Sequence, residues 1–160
     1  MSKFLEDKGY QLLADYIRRH FKGASLRRTM NKGRGPSEGI ADAILTYRGK
    51  NFHIEIKARS KSLGTNVRFA HQTISKAHRR DLIVALVCHL EDPKSKPSIE
   101  FFSLGAVQNS ILVEPHFIVQ QSSIRGRMST LADLMRAKQN PLDLSALLKT
   151  KVEEHMKVGA

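Results

Sequence analysis

The 160-residue chain carries 27 Lys and Arg against 15 Asp and Glu, and a net charge of +12 is typical of proteins that bind nucleic acid. Hydrophobic residues (41%) and charged residues (26%) occur as in ordinary globular domains, so a core forms without disulfides or a structural metal. No apolar run is long enough to cross a membrane, and the charged first residues argue against a signal peptide. We therefore expect a cytoplasmic protein whose partner is nucleic acid and not a membrane.

Apolar periodicity predicts a helix, three strands, a second helix and two more strands: 3–21, 25–30, 40–47, 50–59, 67–80, 82–88 and 98–103. The helix over 67–80 is predicted because Val67, Ala70, Ile74 and Ala77 recur at helical spacing. The single cysteine, Cys88, ends an apolar run and is predicted to be a buried packing residue.

The tail is predicted to be helical, over 130–137 and again from an N-cap at Asn140. The leucines of the last helix form an apolar stripe that packs on the parent domain or joins a homodimer. We predict a core domain over 1–110 and a mainly helical extension over 111–160. Helices and strands in this order indicate an α/β fold with a mixed sheet flanked by helices.

The strands 40–47 and 50–59 carry the informative residues. A two-residue turn at Arg48-Gly49 places Asp42 opposite Glu55, whereas a turn one residue later places it opposite Lys57. In both registers Asp42, Glu55 and Lys57 share one face, because strand side chains alternate. The other face is apolar: Ala41, Ala43, Leu45, Tyr47, Phe52, Ile54, Ile56 and Ala58. We expect the sheet to bury that face and to present the acids on the other.

Two carboxylates about 4.5–5.5 Å apart at Cβ repel each other unless a cation lies between them. Mg²⁺, or Mn²⁺ in its place, accepts one or two carboxylates together with waters and phosphate oxygens. Such a metal activates water for phosphodiester hydrolysis, and Lys57 can orient that water, stabilise charge or, with a lowered pKa, accept a proton. A surface ion pair is the alternative explanation. The matching register, the apolar opposite face and the net charge favour a metal site.

Asp42, the hairpin and Glu55-Ile56-Lys57 resemble the motif of the PD-(D/E)XK, or restriction-endonuclease-like, nuclease superfamily. The resemblance covers about residues 3–103, and the run that ends at Arg59 looks most like small Holliday-junction-resolvase and repair-nuclease branches. It implies that Asp42 and Glu55 bind the metal and that Lys57 assists the attacking water, leaving a 5′-phosphate and a 3′-hydroxyl. Ala41 stands where the family usually has proline.

Relatives often carry a glutamate on the first helix and a polar residue on the later one. Glu6 suits the first role, with Gln11 at the other plausible place, and Gln72 and Lys76 suit the second, although surface solvation explains them almost as well. His53 shares the predicted face of Glu55, and no histidine or cysteine has zinc-ligand spacing. Predicted DNA contacts bracket the acids in sequence: Arg27, Arg28, Lys32, Arg34, Arg59, Lys61, Arg68 and Lys76.

We predict a Mg²⁺-dependent DNA endonuclease. A chain of this length leaves little room for a sequence-reading domain, which favours branched or damaged DNA as the substrate. The alternative is a non-catalytic nucleic-acid-binding module with the same fold. The low aromatic content, 6% with no Trp, counts against a protein that stacks on the bases of single-stranded RNA.

Overall fold

The computed structural model describes residues 3–29, 41–62, 64–70, 73, 82–107 and 110–137. The strands are β1 (Ser25–Arg28), β2 (Ala43–Tyr47), β3 (Lys50–Ala58), β4 (Asn66–Ala70), β5 (Leu82–Cys88), β6 (Ser98–Ser103), β7 (Ser110–Val113) and β8 (His116–Gln120). The helices are α1 (Lys3–His20), α2 (Gln121–Arg125) and α3 (Leu131–Ala137), and a 3-10 turn spans Leu104–Ala106.

Five strands form the main sheet in the order β1-β2-β3-β5-β6. β3 and β5 run parallel, and the other neighbours run antiparallel, so the sheet is mixed as predicted. β5 is buried along its whole length, which explains its continuous apolar sequence. Cys88 at its end is buried, as a packing cysteine should be.

Helix α1 covers one face of the main sheet. Leu13 and Ile17 are buried against the inward side chains of β2, β3 and β5. Gly9 permits this close approach, because a Cβ on it would lie 3.2 Å from the Cβ of Ala58. Helix α3 joins the same layer through the buried Leu131 and Leu134.

The β2–β3 hairpin has the first of the two predicted registers. Tyr47 pairs with Lys50 and Ala43 with Ile54, around a turn in which Arg48 and Gly49 have φ values of 51° and 76°. Such a turn matches the right-handed twist of the strands, and glycine accepts the positive φ without strain. The alternative turn at Gly49-Lys50 is wrong.

A second sheet, ordered β4-β8-β7, lies over the other face of the main sheet. The helix predicted over 67–80 is therefore wrong at its start, where β4 pairs antiparallel with β8. Val67 and Phe69 are buried and Arg68 between them is exposed, so the segment follows the strand period of two. Its partner strand, β8, lies about fifty residues away in sequence. The local spacing of apolar residues could not reveal that pairing.

The face that carries the acids is not open to solvent. The second sheet closes over it and forms a core of its own with β5 and β6. Ala41, predicted to lie beside Ala43, belongs instead to this second core, because the chain bends at Asp42 before β2 begins.

The predicted helical extension begins with strands, since β7 and β8 form the second sheet with β4. The division of the chain at residue 110 remains a prediction. The predicted helix from Asn140, with its leucine stripe, lies outside the described residues, as do Lys32, Arg34, Gln72 and Lys76. In the described part of the chain, no helix is long and apolar enough to cross a membrane.

Candidate active site

Asp42 occupies a bend immediately before β2, where three hydrogen bonds fix its position. The Thr29 N–H donates to the Asp42 carbonyl at 2.9 Å, and the Thr29 hydroxyl donates to the Ala41 carbonyl at 2.5 Å. The Asp42 side chain accepts the N–H of Ile56 at 2.8 Å, beyond the last paired residues of the β2–β3 ladder. The carboxylate is thus attached to the backbone of β3, the strand that carries Glu55.

Glu55 and Lys57 lie two residues apart on β3 and point to the same face. The Lys57 Nζ is 3.5 Å from a Glu55 carboxylate oxygen, and the two side chains are only 17% and 14% exposed. The ammonium group also lies 4.8 Å from the centre of the Phe69 ring on β4. The second sheet therefore excludes much of the water around this pair while it leaves both groups reachable from one side.

Burial makes both carboxyl groups weaker acids than usual. It raises the pKa of Asp42 above its ordinary value, against the Ile56 N–H bond and the charge of Lys57, which lower it. Burial, and after it the charge of Asp42, raises the pKa of Glu55 to about 8, against the charge and the hydrogen bond of Lys57, which lower it. Near neutral pH the Asp42–Glu55 pair therefore holds a proton. A metal cation at the same place would compensate the negative charge that this proton now offsets.

The donor set at this position suits a hard divalent ion. Two carboxylates with room for water and phosphate oxygens are what Mg²⁺ accepts, and a metal would replace the proton that the pair now shares. Among the described residues there is no cluster of three or more His, Cys, Asp or Glu side chains. The role of Asp42 and Glu55 as metal ligands stays a prediction.

The other predicted site residues are distributed unevenly. His53 is buried on the same face, two residues before Glu55 on β3, where it pairs with Ile44. Glu6 and Gln11 are exposed on α1, the helix that covers the opposite face, and no hydrogen bond or ion pair that the structure describes joins them to Asp42 or Glu55. The roles given to Glu6 and Gln11 stay predictions.

The predicted DNA contacts differ in how close they lie to the acids. Arg28 pairs with Ala43, and its charge lowers the pKa of Asp42, although it also binds Asp7 at 2.6 Å. Arg27 lies beside it on edge strand β1, and Arg59 follows Lys57. Lys61 is exposed in the next loop. Arg68 points to the outer side of the second sheet, since the neighbouring Phe69 points inward, and so it faces away from the acids.

Two residues of the site had not been identified in the sequence. Thr29 holds the backbone of Ala41 and Asp42, and Phe69 packs against Lys57. Neither belongs to a motif, and both reach the site only through long-range pairing of strands. The alternation Val67-Arg68-Phe69 was the one local signal for the second of them.

Comparisons with known proteins support the fold. No family model matches the sequence, and no curated protein matches it. Among solved structures, the chain is similar to Hjc, a Holliday junction resolvase from the archaeal hyperthermophile Archaeoglobus fulgidus, with a TM-score of 0.53 and 16% sequence identity. The similarity covers 76% of this chain and 93% of that one. The chain therefore shares the overall fold of this resolvase, with a mixed sheet flanked by helices as the sequence predicted.

Proposed function

We propose that this protein is a Mg²⁺-dependent endonuclease that hydrolyses phosphodiester bonds in branched DNA. One observation carries the proposal: the Ile56 N–H holds the Asp42 carboxylate beside the largely buried Glu55, and the Lys57 Nζ lies 3.5 Å from a Glu55 carboxylate oxygen. A buried acidic pair beside a lysine weakens the folded protein unless it serves a ligand. On a chain of net charge +12, a polyanion is the expected ligand.

Each residue has a distinct part in this chemistry. A bound Mg²⁺ would supply a Lewis acid and would acidify a water molecule. Asp42 and Glu55 would hold it, Asp42 with its carboxylate fixed by the Ile56 N–H and Glu55 in its deprotonated form. Lys57 donates hydrogen bonds to the attacking water or to a non-bridging phosphate oxygen, and the Phe69 ring limits its freedom.

The substrate class follows from fold and charge together. Hjc, which has the same fold, is a Holliday junction resolvase. Arg27 and Arg28 lie on edge strand β1 next to Asp42, where they can contact phosphates on one side of the site, and Lys61 extends beyond the other side. A resolvase cuts two strands and needs two sites, so we propose that the protein acts as a homodimer, which analytical ultracentrifugation tests.

Cleavage assays on a matched panel of DNA test the function. Labelled four-way junctions, flaps and linear duplexes are incubated with the protein in Mg²⁺ and in EDTA. We expect junction cleavage in Mg²⁺ alone, and a loss of at least about 100-fold in Glu55→Gln, which lacks the acidic oxygen needed for the metal. Glu91→Gln, an exposed acid on the turn after β5, is the matched control and should cleave normally. Cleavage that persists in EDTA and in Glu55→Gln would contradict the proposal.

A further inference from the structure

We propose that Arg59 and Arg125 form a second phosphate-binding site, which holds the DNA strand beyond the bond that is cut. The identity of the ligand rests on the proposed function. The site itself rests on where the two guanidinium groups lie, on what orients them and on the absence of an ion-pair partner for either among the described residues.

Arg59 extends the line of functional side chains along β3. Its N–H donates to the Val87 carbonyl at 2.8 Å, which continues the parallel pairing of β3 with β5 and places it beside Cys88. It therefore lies on the face of Glu55 and Lys57, roughly 13 Å from Glu55 at about 3.3 Å per residue. Its Nη1 donates to the Ala58 carbonyl at 3.0 Å, which restrains the guanidinium.

Arg125 reaches the same point from the other layer. It ends α2, which the fully buried Ile124 anchors in the core between the sheets. With the Gln121 amide oriented so that its nitrogen donates to the Gly64 carbonyl at 3.1 Å, its oxygen accepts from the Arg125 Nε at 2.9 Å and Nη2 at 3.1 Å. A guanidinium held on two nitrogens is preorganised to present the remaining N–H groups to an anion.

Geometry and charge both link the two arginines. Arg125 is held by Gln121, whose amide nitrogen donates to the carbonyl of Gly64, five residues after Arg59. Burial raises the pKa of the Cys88 thiol most and the charge of Glu100 raises it further, while the charges of Arg59 and Arg125 both lower it. Glu100 on β6 pairs with Leu86 on β5, and Leu86 also pairs with Lys57 on β3. The Glu100 side chain therefore lies on the same face of the main sheet as Lys57. Two guanidinium groups against one carboxylate leave an excess of positive charge at this end of the face.

Neither guanidinium is neutralised locally. Arg18, Arg28 and Arg136 each bind a nearby aspartate, whereas the described residues include no ion-pair partner for Arg59 or Arg125. Unpaired, oriented arginines are suited to the oxygens of a phosphate, which accept two parallel hydrogen bonds. Glu55, Lys57 and Arg59 thus follow one another along one face of the main sheet. Arg125 joins them from α2 at the end where Arg59 lies, and we expect the DNA backbone to pass along this line.

Salt-dependent DNA binding tests the site without cleavage. In a Glu55→Gln background with EDTA, the affinity for a labelled four-way junction is measured by fluorescence anisotropy between 50 and 200 mM salt. We expect Arg125→Ala and Arg59→Ala each to weaken binding about tenfold. Each should also reduce the slope of log affinity against log salt by about 0.9, the release of one counterion. Arg127→Ala removes an exposed arginine two residues further on and should change affinity less than about twofold.

Two further variants separate orientation from charge. Gln121→Ala keeps both arginines but loses the acceptor of Arg125, so we expect a smaller loss of affinity at an unchanged salt slope. Arg125→Lys keeps the charge without the two-nitrogen contact and should behave similarly. In Mg²⁺ with Glu55 present, Arg125→Ala should raise KM and leave kcat unchanged, because the contact lies away from the reacting phosphate.

The outcomes distinguish the two proposals. If Arg125→Ala and Arg127→Ala bind alike, with equal salt slopes, the second phosphate site is wrong while the proposed function stands. If the Glu55→Gln parent binds no DNA at all, the proposed function itself is contradicted. Thermal unfolding of each variant confirms that the fold is intact, as expected for exposed side chains such as Arg125.

Discussion

Both faces of the main sheet are covered, but one carries only apolar side chains and the other also carries charged ones. Under α1 the side chains of β2 and β3 are apolar, and Leu13, Leu45 and Ile54 are completely buried. Under the second sheet, β3 contributes His53, Glu55 and Lys57 beside the apolar side chains of β5. One strand therefore supplies a stabilising face and a functional face at the same time, because its side chains alternate.

The difference shows what the second sheet contributes. Burial of Glu55 raises its pKa to about 8, which an open face would not do. Folding energy from the α1 face offsets the cost of burying charge on the other face. Substitutions on the two faces should therefore separate stability from activity, and the predictions below run from the largest expected effect to the smallest.

Lys57→Ala should lower the cleavage rate by about 100-fold, because the site loses the cation that orients water and stabilises charge. Its stability should change little, since the variant removes the partner of a carboxyl that can hold a proton instead. Single-turnover cleavage and thermal unfolding measure the two effects. Lys50→Ala, an exposed lysine on the same strand, is the control. Normal cleavage by Lys57→Ala would remove this residue from the mechanism.

Leu13→Ala should show the reverse behaviour on the α1 face. The side chain is completely buried, so its truncation should lower the free energy of unfolding by about 2–5 kcal/mol. Cleavage per folded molecule should be unchanged at a temperature where the variant remains folded. Urea denaturation with parallel cleavage assays measures both quantities, and a large loss of kcat would show that the two faces are coupled.

The pH dependence of stability tests the functional face in the metal-free protein. The pKa of Glu55 is about 8 in the folded chain against 4.5 for a free side chain, so the folded protein holds a proton that the unfolded chain releases. The free energy of unfolding should thus fall by roughly 2–4 kcal/mol as the pH rises from about 4.5 to about 8. The raised pKa of Asp42 acts in the same direction.

Glu55→Gln provides the control for this measurement. Its stability should vary less with pH over the same window, and saturating Mg²⁺ should stabilise the wild type more at pH 8 than at pH 6. Denaturation in EDTA at several pH values tests both statements. An equal slope in wild type and Glu55→Gln would show that the buried carboxyl is not the source.

The smallest expected effect concerns the turn of the hairpin. Arg48 adopts a φ of 51°, which asparagine accepts more readily than arginine, and Gly49 follows at 76°. Arg48→Asn should therefore raise the free energy of unfolding by about 0.5–1 kcal/mol and leave cleavage unchanged. Gly49→Ala should destabilise by a similar amount. Denaturation of the two variants checks the turn, and a destabilised Arg48→Asn would contradict it.

Features that depend on neighbouring residues in the sequence could be predicted, whereas features that depend on contacts between distant segments could not. The hairpin register and the shared face of Asp42, Glu55 and Lys57 follow from a short turn and the period of two, which are local. The second sheet joins β4 to β8, and no local pattern specifies that pairing. Burial of the acids, the contact of Phe69 with Lys57 and the hold of Thr29 on Asp42 all depend on such distant contacts.

The helix predicted from Val67 shows the same limit in one segment. Val67, Ala70, Ile74 and Ala77 fit a helical spacing, while Val67, Arg68 and Phe69 fit a strand. Pairing with β8 decides between them, and it places Phe69 over the site. Local periodicity was ambiguous there, and tertiary structure selected the strand.

Calorimetric titration with Mn²⁺ or Mg²⁺ in two buffers of different ionisation enthalpy tests the central claim most directly. At pH 7 the Asp42–Glu55 pair holds a proton, so metal binding should release about one proton per ion. Glu55→Gln should bind the metal weakly and release no proton. Absence of metal binding in the wild type, or equal binding and proton release in both proteins, would contradict the assignment of Asp42 and Glu55 as metal ligands.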